Sequence, residues 1–188
     1  MNTRYRPRRV ALRDGREVTL REIEEADASE IIAAFERLSP ESRYSRFMQH
    51  KKQVEAAELD RGVHPRSGLD FVLVATVPAP DGIDIVGAAQ YTPAGSGDGA
   101  CEFAVTVAED WRTIGLATAL VSRLVRRARR DGYQTIEGWV LNSNKAMLAL
   151  ARDLHFRTER ATDDAGVVQV RRTLQGNRPR QAAVVAAR

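Results

Sequence analysis

The segment Arg112-Thr113-Ile114-Gly115-Leu116-Ala117-Thr118 has residue types and spacing suited to chemistry, because it follows a strand-like run and opens a helical one. The first amides of a helix have no partner inside it, so they need an anion or water. Gly115 lets the backbone approach a bulky group and Ala117 keeps a nearby position small. The helix dipole adds about half a positive charge at that end. A pyrophosphate is the natural guest, and Arg112 can support it by charge-assisted hydrogen bonds. Close packing of the helix is the alternative reason for small residues here. No Gly-Lys-Ser/Thr follows, so the segment is not a P-loop, and it lacks the first glycine and the parallel βαβ unit of a dinucleotide fingerprint.

Glu102 interrupts an otherwise apolar strand between Cys101 and Phe103, and a charge in that position needs a reason. It either serves the chemistry or is turned to solvent by strand alternation. Cys101 has no histidine nearby in sequence and reads as a small core residue rather than a nucleophile. Asn144 opens a helix, either as its N-cap or as a contact to a ligand, and the two are compatible. His155 closes the same helix, where an imidazole more often serves the dipole than catalysis.

These residues must be positioned by alternating elements. Asp14-Gly15 reads as a hairpin tip, and Val18, Leu20 and Ile23 alternate as a first strand. Asp27 and Glu30 form a capping pair for a helix with Ile31, Ile32, Phe35 and Leu38 on its apolar stripe. Ser39-Pro40 starts a second helix, with Ser39 as cap. Phe71 to Ala75, a turn at Pro78 to Gly82, and Ile85 to Tyr91 predict an antiparallel pair. A loop from Gly95 to Gly99 leads to the strand Ala100 to Val107. Leu116 to Ala128 has helical spacing, with arginines on the remaining surface, and Gly132 ends it. Thr135 to Leu141 is a buried-looking strand, Asn144 to Leu154 a helix, and Val167 to Leu174 a closing strand. The succession is mixed α/β rather than all-β.

Composition bounds the rest. The chain of 188 residues, 43% hydrophobic and 29% charged, suits one domain over residues 10–174. A basic N-terminus, 1–9, and a tail, 175–188, are expected to be loose. No apolar run is long enough to span a bilayer, so no membrane is expected and the cytoplasm is the natural compartment. One cysteine leaves too few sulfur ligands for a structural zinc, and no metal is expected. The net charge of +4 suits a polyanionic partner. The arginine-rich helix face without interleaved aromatics argues for a solvated surface and against nucleic acid. A homodimer is compatible with this composition.

The pattern Arg112-x-x-Gly115-x-Ala117, after the strand Cys101 to Val107 and before Asn144-x-x-Met147 and Leu154-His155-Phe156, resembles the GNAT superfamily of N-acetyltransferases. Leu12 to Val18 and Arg37 to Tyr44 look like the acetyltransferase domain of bacterial protein lysine acetyltransferases. The resemblance covers that domain alone, and the CoA-ligase-like region or cyclic-nucleotide domain usually fused to it is not expected in this sequence.

The resemblance implies an α+β fold with a mostly antiparallel sheet of six to seven strands, helices on both faces and a central splay. It implies acetyl-CoA as co-substrate, with pantetheine along Val105, Thr106 and Val107. Pyrophosphate would lie on Arg112, Thr113, Ile114, Gly115, Leu116, Ala117 and Thr118, with Asn144 and Met147 on the neighbouring side. A lysine-like amine near pKa 10.4 is protonated at neutral pH and must lose a proton to attack a thioester. Glu102 stands where the resembled enzymes place their base, and the Val105 amide can face the developing oxyanion. Ala151 replaces a tyrosine often used as acid, Ile114 a common basic residue, and His155 a glycine. The acceptor is an amine of a protein, with lysine favoured, or of a small molecule, and Arg43 to Gly68 would shape its entrance. A non-catalytic acyl-CoA sensor is the alternative.

Overall fold

The structure, a computed structural model, describes residues 5–95, 99–160 and 166–174. Within them the order is β1 (Arg8–Ala11), β2 (Glu17–Glu22), α1 (Ala28–Glu36), α2 (Pro40–Phe47), α3 (Ala56–Val63), β3 (Phe71–Ala79), β4 (Gly82–Pro93) and β5 (Ala100–Val107). Then follow α4 (Leu116–Arg130), β6 (Thr135–Leu141), α5 (Lys145–Asp153), β7 (Arg157–Arg160) and β8 (Val167–Thr173).

The described strands form one eight-stranded sheet, β1-β2-β3-β4-β5-β6-β8-β7. All neighbours are antiparallel except β5 and β6. The sheet exceeds the expected six to seven strands because β1 and β7 are four-residue segments, Arg-Arg-Val-Ala and Arg-Thr-Glu-Arg. Neither carries a full apolar alternation to announce it.

Both faces are covered. Leu73, Tyr91, Cys101 and Phe103 share a core with Leu116, Leu120 and Leu124 of α4 and Ala151 of α5. Val72, Val74 and Ile85 pack on the other face against Val63 and Leu59 of α3 and Ile31 and Ala34 of α1. The central strand β3 therefore reads as a continuous apolar run, as doubly covered strands do.

Some expectations are corrected. The N-terminal segment is not loose throughout: Tyr5 N–H donates to Glu22 at 2.6 Å and its ring lies 6.1 Å from that of Phe71, while Arg8 and Arg9 pair in β1. Asp27 does not cap α1 with its side chain. Its carboxylate accepts from Glu24 N–H at 2.8 Å and from both terminal nitrogens of Arg21 at 2.7 Å, because a 3-10 turn, Glu25–Asp27, begins the helical segment one turn earlier. Glu30 accepts from Ile85 N–H at 2.9 Å, tying α1 to the sheet. Arg127 is buried rather than on the solvated face of α4, and its guanidinium pairs with Asp131 at 2.9 Å and Glu22 at 3.1 Å. The Gly95 to Gly99 loop and the 175–188 tail fall partly and wholly outside the described residues.

Candidate active site at the parting of two strands

β5 and β6 pair in parallel only over Ala100–Glu102 and Thr135–Glu137, although β5 runs to Val107 and β6 to Leu141. The strands therefore part after Glu102, and the central splay is present. At the parting point Phe103 lies against Gly138, where a Cβ would stand 2.8 Å from the Phe103 ring. The ring also packs on Phe156, with centroids 5.2 Å apart.

The ladder on the other side of β5 fixes where its amides point. Ala94 N–H donates to Ala100 O and Ala108 N–H to Val86 O, both at 3.0 Å. With the unbroken register between them, even-numbered residues exchange bonds with β4, and the Val105 and Val107 amides face the gap.

Side chains alternate the opposite way. Glu102, Ala104 and Thr106 lie opposite Thr92, Gln90 and Ala88, and these last four residues, Thr106 included, line a cavity of about 600 Å³ on the face covered by α1, α2 and α3. Glu102 is exposed, but on the cavity face rather than on the α4 face. Trp139 of β6, 42% exposed, lies on the same face, two residues beyond Glu137, the partner of Glu102.

The loop after β5 has a specific backbone. Thr113 at φ 64° and Gly115 at φ 96° are left-handed, while Ile114 between them is not. Such alternation gathers neighbouring amides into an anion-binding concavity. The first return bond of the α4 turn is Ala119 N–H to Gly115 O at 3.0 Å, so the helix's leading amides have no upstream acceptor within it. A Cβ on Gly115 would meet only the flexible Arg13 side chain, at 3.6 Å. Glycine is thus needed for its conformation, not for tight helix packing. Leu116 is buried against the core and Ala117 and Thr118 are half-buried.

Arg112 is less free than the sequence suggests. Its guanidinium donates to Ser42 Oγ at 2.7 Å, to Glu109 at 3.3 Å and to Val107 O at 3.4 Å. Arg13 stands in a complementary position: its N–H donates to Ile114 O at 3.0 Å and its side chain lies over Gly115. Arg16, on the same hairpin, donates to Asp110 O at 2.8 Å and stacks 4.2 Å over Trp111. The hairpin tip read at Asp14-Gly15 therefore docks on the loop and brings a basic side chain to where Ile114 offers none. No local sequence signal marks Arg13.

Asn144 caps α5, accepting Met147 N–H at 3.1 Å. Met147 is half-buried against the larger core. Ala151 is 1% exposed, so that position has no room for a phenol aimed at a ligand without repacking. His155 takes φ 60°, the strained conformation expected of a side chain in a glycine position.

The segment Arg43 to Gly68 does line the cavity, through Arg46, Phe47, Glu58 and Leu59 among others. Arg46 makes no hydrogen bond and no ion pair among the described residues. Burial holds its pKa below the usual guanidinium value against the opposing charges of Glu58 and Glu102. The sequence did not single it out. No cluster able to hold a metal ion occurs among the described residues, and no helix among them is long and apolar enough to cross a membrane.

Comparison with known proteins matches residues 31–156 to the acetyltransferase (GNAT) family. An acetyltransferase of Pseudomonas aeruginosa is 33% identical over 155 residues, covering 82% of this chain and 83% of that protein. The crystal structure of the GNAT domain of S. lividans PAT is similar with a TM-score of 0.79 and 26% identity, over 89% of this chain and 97% of that one. YncA of Salmonella typhimurium, a putative acetyltransferase solved with acetyl-CoA, is similar in fold at a TM-score of 0.64 and 21% identity, over 88% of this chain and 98% of that one.

Proposed function

The chain belongs to the acetyltransferase (GNAT) family, and from that premise we propose that it moves an acetyl group from acetyl-CoA to a primary amine, with Glu102 as general base. The observation that carries this reading is the gap between β5 and β6, which has unpaired backbone on one rim and Glu102 at its apex.

Acetyl-CoA supplies the acyl group as an activated thioester. The residues fit it: the amides gathered by Thr113 and Gly115, with those of Ile114, Leu116, Ala117 and Thr118, offer donors to a pyrophosphate. Arg13 adds a cation to them, and Arg112 holds the loop against α2. The Val105 and Val107 amides can continue the β ladder onto an extended amide chain beside Thr106. Asn144, the cap that fixes the start of α5 after β6, and Met147 complete the proposed cofactor contacts.

Glu102 accepts one proton from the substrate ammonium, directly or through water. The nitrogen then bonds to the thioester carbonyl carbon as the carbon–sulfur bond breaks and its electron pair leaves with sulfur. The second nitrogen proton passes to the departing thiolate or to water. The Val105 N–H faces the negative charge that develops on the carbonyl oxygen. With Ala151 in the helix, no tyrosine protonates the thiolate there.

Likeness to the PAT domain supports a protein lysine as acceptor. The roomy, largely apolar cavity supports a small-molecule amine. Thiol release from acetyl-CoA with lysine peptides, polyamines and amino acids tests the reading. Release above background with any acceptor is expected, and tight acetyl-CoA binding with no release from any would leave a sensor.

A further inference from the structure

Several cations in the interior of the described residues are paired with carboxylates, and others donate to backbone carbonyls or a tyrosine hydroxyl. Arg21 bonds Asp27 at 2.7 Å, Arg127 bonds Asp131 at 2.9 Å, and Lys51 pairs with Glu58. Arg46, half-buried in the cavity wall on α2, has no such partner among the described residues. The same wall includes the apolar Phe35, Phe47, Leu59, Val72 and Ile85, beside the charged Glu58, Arg61, Arg66 and Asp70.

Resting on the amine-acetylation reading above, we propose that this cavity binds the acceptor and that Arg46 takes its carboxylate, so that the acceptor is an amino acid, or a small derivative of one, with an apolar side chain. The Arg46 guanidinium stacks 4.8 Å over the Phe47 ring and none of its nitrogens is sealed from solvent, so its N–H groups are available to an arriving anion, which displaces only water from them. The planar guanidinium matches a carboxylate with two parallel hydrogen bonds. Glu58 acts on Arg46 only through space and forms its ion pair with Lys51. Glu102 lies on the sheet face that floors this cavity, opposite Thr92 of its lining, which puts the anion subsite and the base on one face. The apolar wall receives the side chain. A polyamine would bring a second positive charge towards Arg46 and has nothing to offer it.

The test uses the full chain, acetyl-CoA and matched acceptors: leucine with isopentylamine, and phenylalanine with phenethylamine, beside a lysine peptide and spermidine. The carboxylate member of each pair is expected to have a kcat/KM at least about tenfold higher, since a site built for a polar group rejects the analogue lacking it. Arg46→Gln should raise KM for the amino acids by about tenfold or more, with kcat little changed and the decarboxylated amines unaffected, and Arg46→Lys should recover part of the loss. Equal kcat/KM within the pairs overturns the proposal, as does transfer to lysine peptides or spermidine alone. An equal loss for both members in Arg46→Gln does the same. The matched pairs need no variant, so the result stands even where Arg46→Gln fails to fold. No thiol release from any acceptor sinks the transfer reading instead, and calorimetric titration of the same pairs then still reads the preference set by Arg46.

Discussion

The carboxylate of Glu109 accepts the backbone N–H of Ser39 at 3.1 Å, which ties the first turn of α2 to the turn before the anion-binding loop. Ser42 Oγ also donates to Glu109 and accepts from Arg112. The wall of the proposed acceptor cavity and the proposed cofactor loop thus share one polar joint.

That joint is pH-sensitive. Burial by itself would raise the pKa of Glu109, but hydrogen bonds from Ser42 and Ser39 outweigh it and bring the value to about 2. A carboxylate depressed in the folded state contributes stability that is fully present above the unfolded value, about 4.3, and is lost as pH falls towards 2. Glu109→Gln should therefore lower Tm at pH 7, and the difference from the parent should shrink between about pH 5 and pH 2. Thermal unfolding across that range checks it, and a constant difference would show that the charge is not what matters.

Glu102→Gln should reduce turnover by about 100-fold or more, the scale of a lost general base, while acetyl-CoA affinity stays within a factor of about two, because Glu102 lies outside the loop of 112–118 that is proposed to hold the pyrophosphate. Steady-state kinetics with calorimetric titration separates the two quantities. Undiminished turnover would remove Glu102 from the mechanism.

Gly115→Ala places a Cβ at φ 96°, a conformation that costs an L side chain roughly 1–2 kcal/mol. Because the Cβ has room apart from Arg13, the chain should still fold while the amides lose their common aim. Acetyl-CoA affinity is expected to fall about tenfold, the equivalent of about 1.4 kcal/mol. Lowered Tm with unchanged affinity would make Gly115 a purely structural residue.

Gly138→Ala forces a Cβ to 2.8 Å from the Phe103 ring and 3.1 Å from the Phe103 carbonyl oxygen. The backbone contact cannot be relieved by a rotamer change, so a loss of about 1–3 kcal/mol is expected, as for other overpacked sites. Chemical denaturation measures it. Phe103→Leu in the same background should recover part of the loss if the ring is the main obstacle.

Elements with a strong local signature were legible in the sequence. The bounds of β5 and β6, Ser39 as the cap of α2, Asn144 as the cap of α5 and Gly132 in the left-handed turn after α4 all follow from alternation, capping chemistry and glycine's tolerance of positive φ. β1 and β7 were not legible, because they pair as strands without burying an apolar face of their own. The cap expected at Asp27 moved because a 3-10 turn begins the helical segment earlier, and the carboxylate serves Glu24 N–H and Arg21 of β2 instead.

The sequence by itself determined the mixed α/β order, the Arg112 to Thr118 loop at a helix start and the misplaced charge at Glu102, since these depend on neighbours along the chain. Only the tertiary structure decided that Glu102 shares a face with the cavity, that Arg13 reaches Gly115 from a hairpin a hundred residues away in sequence, and that Arg46 stacks on Phe47 without an ion pair among the described residues. Sheet register, hairpin docking and charge pairing join residues far apart in the chain, and no local periodicity encodes which of them meet.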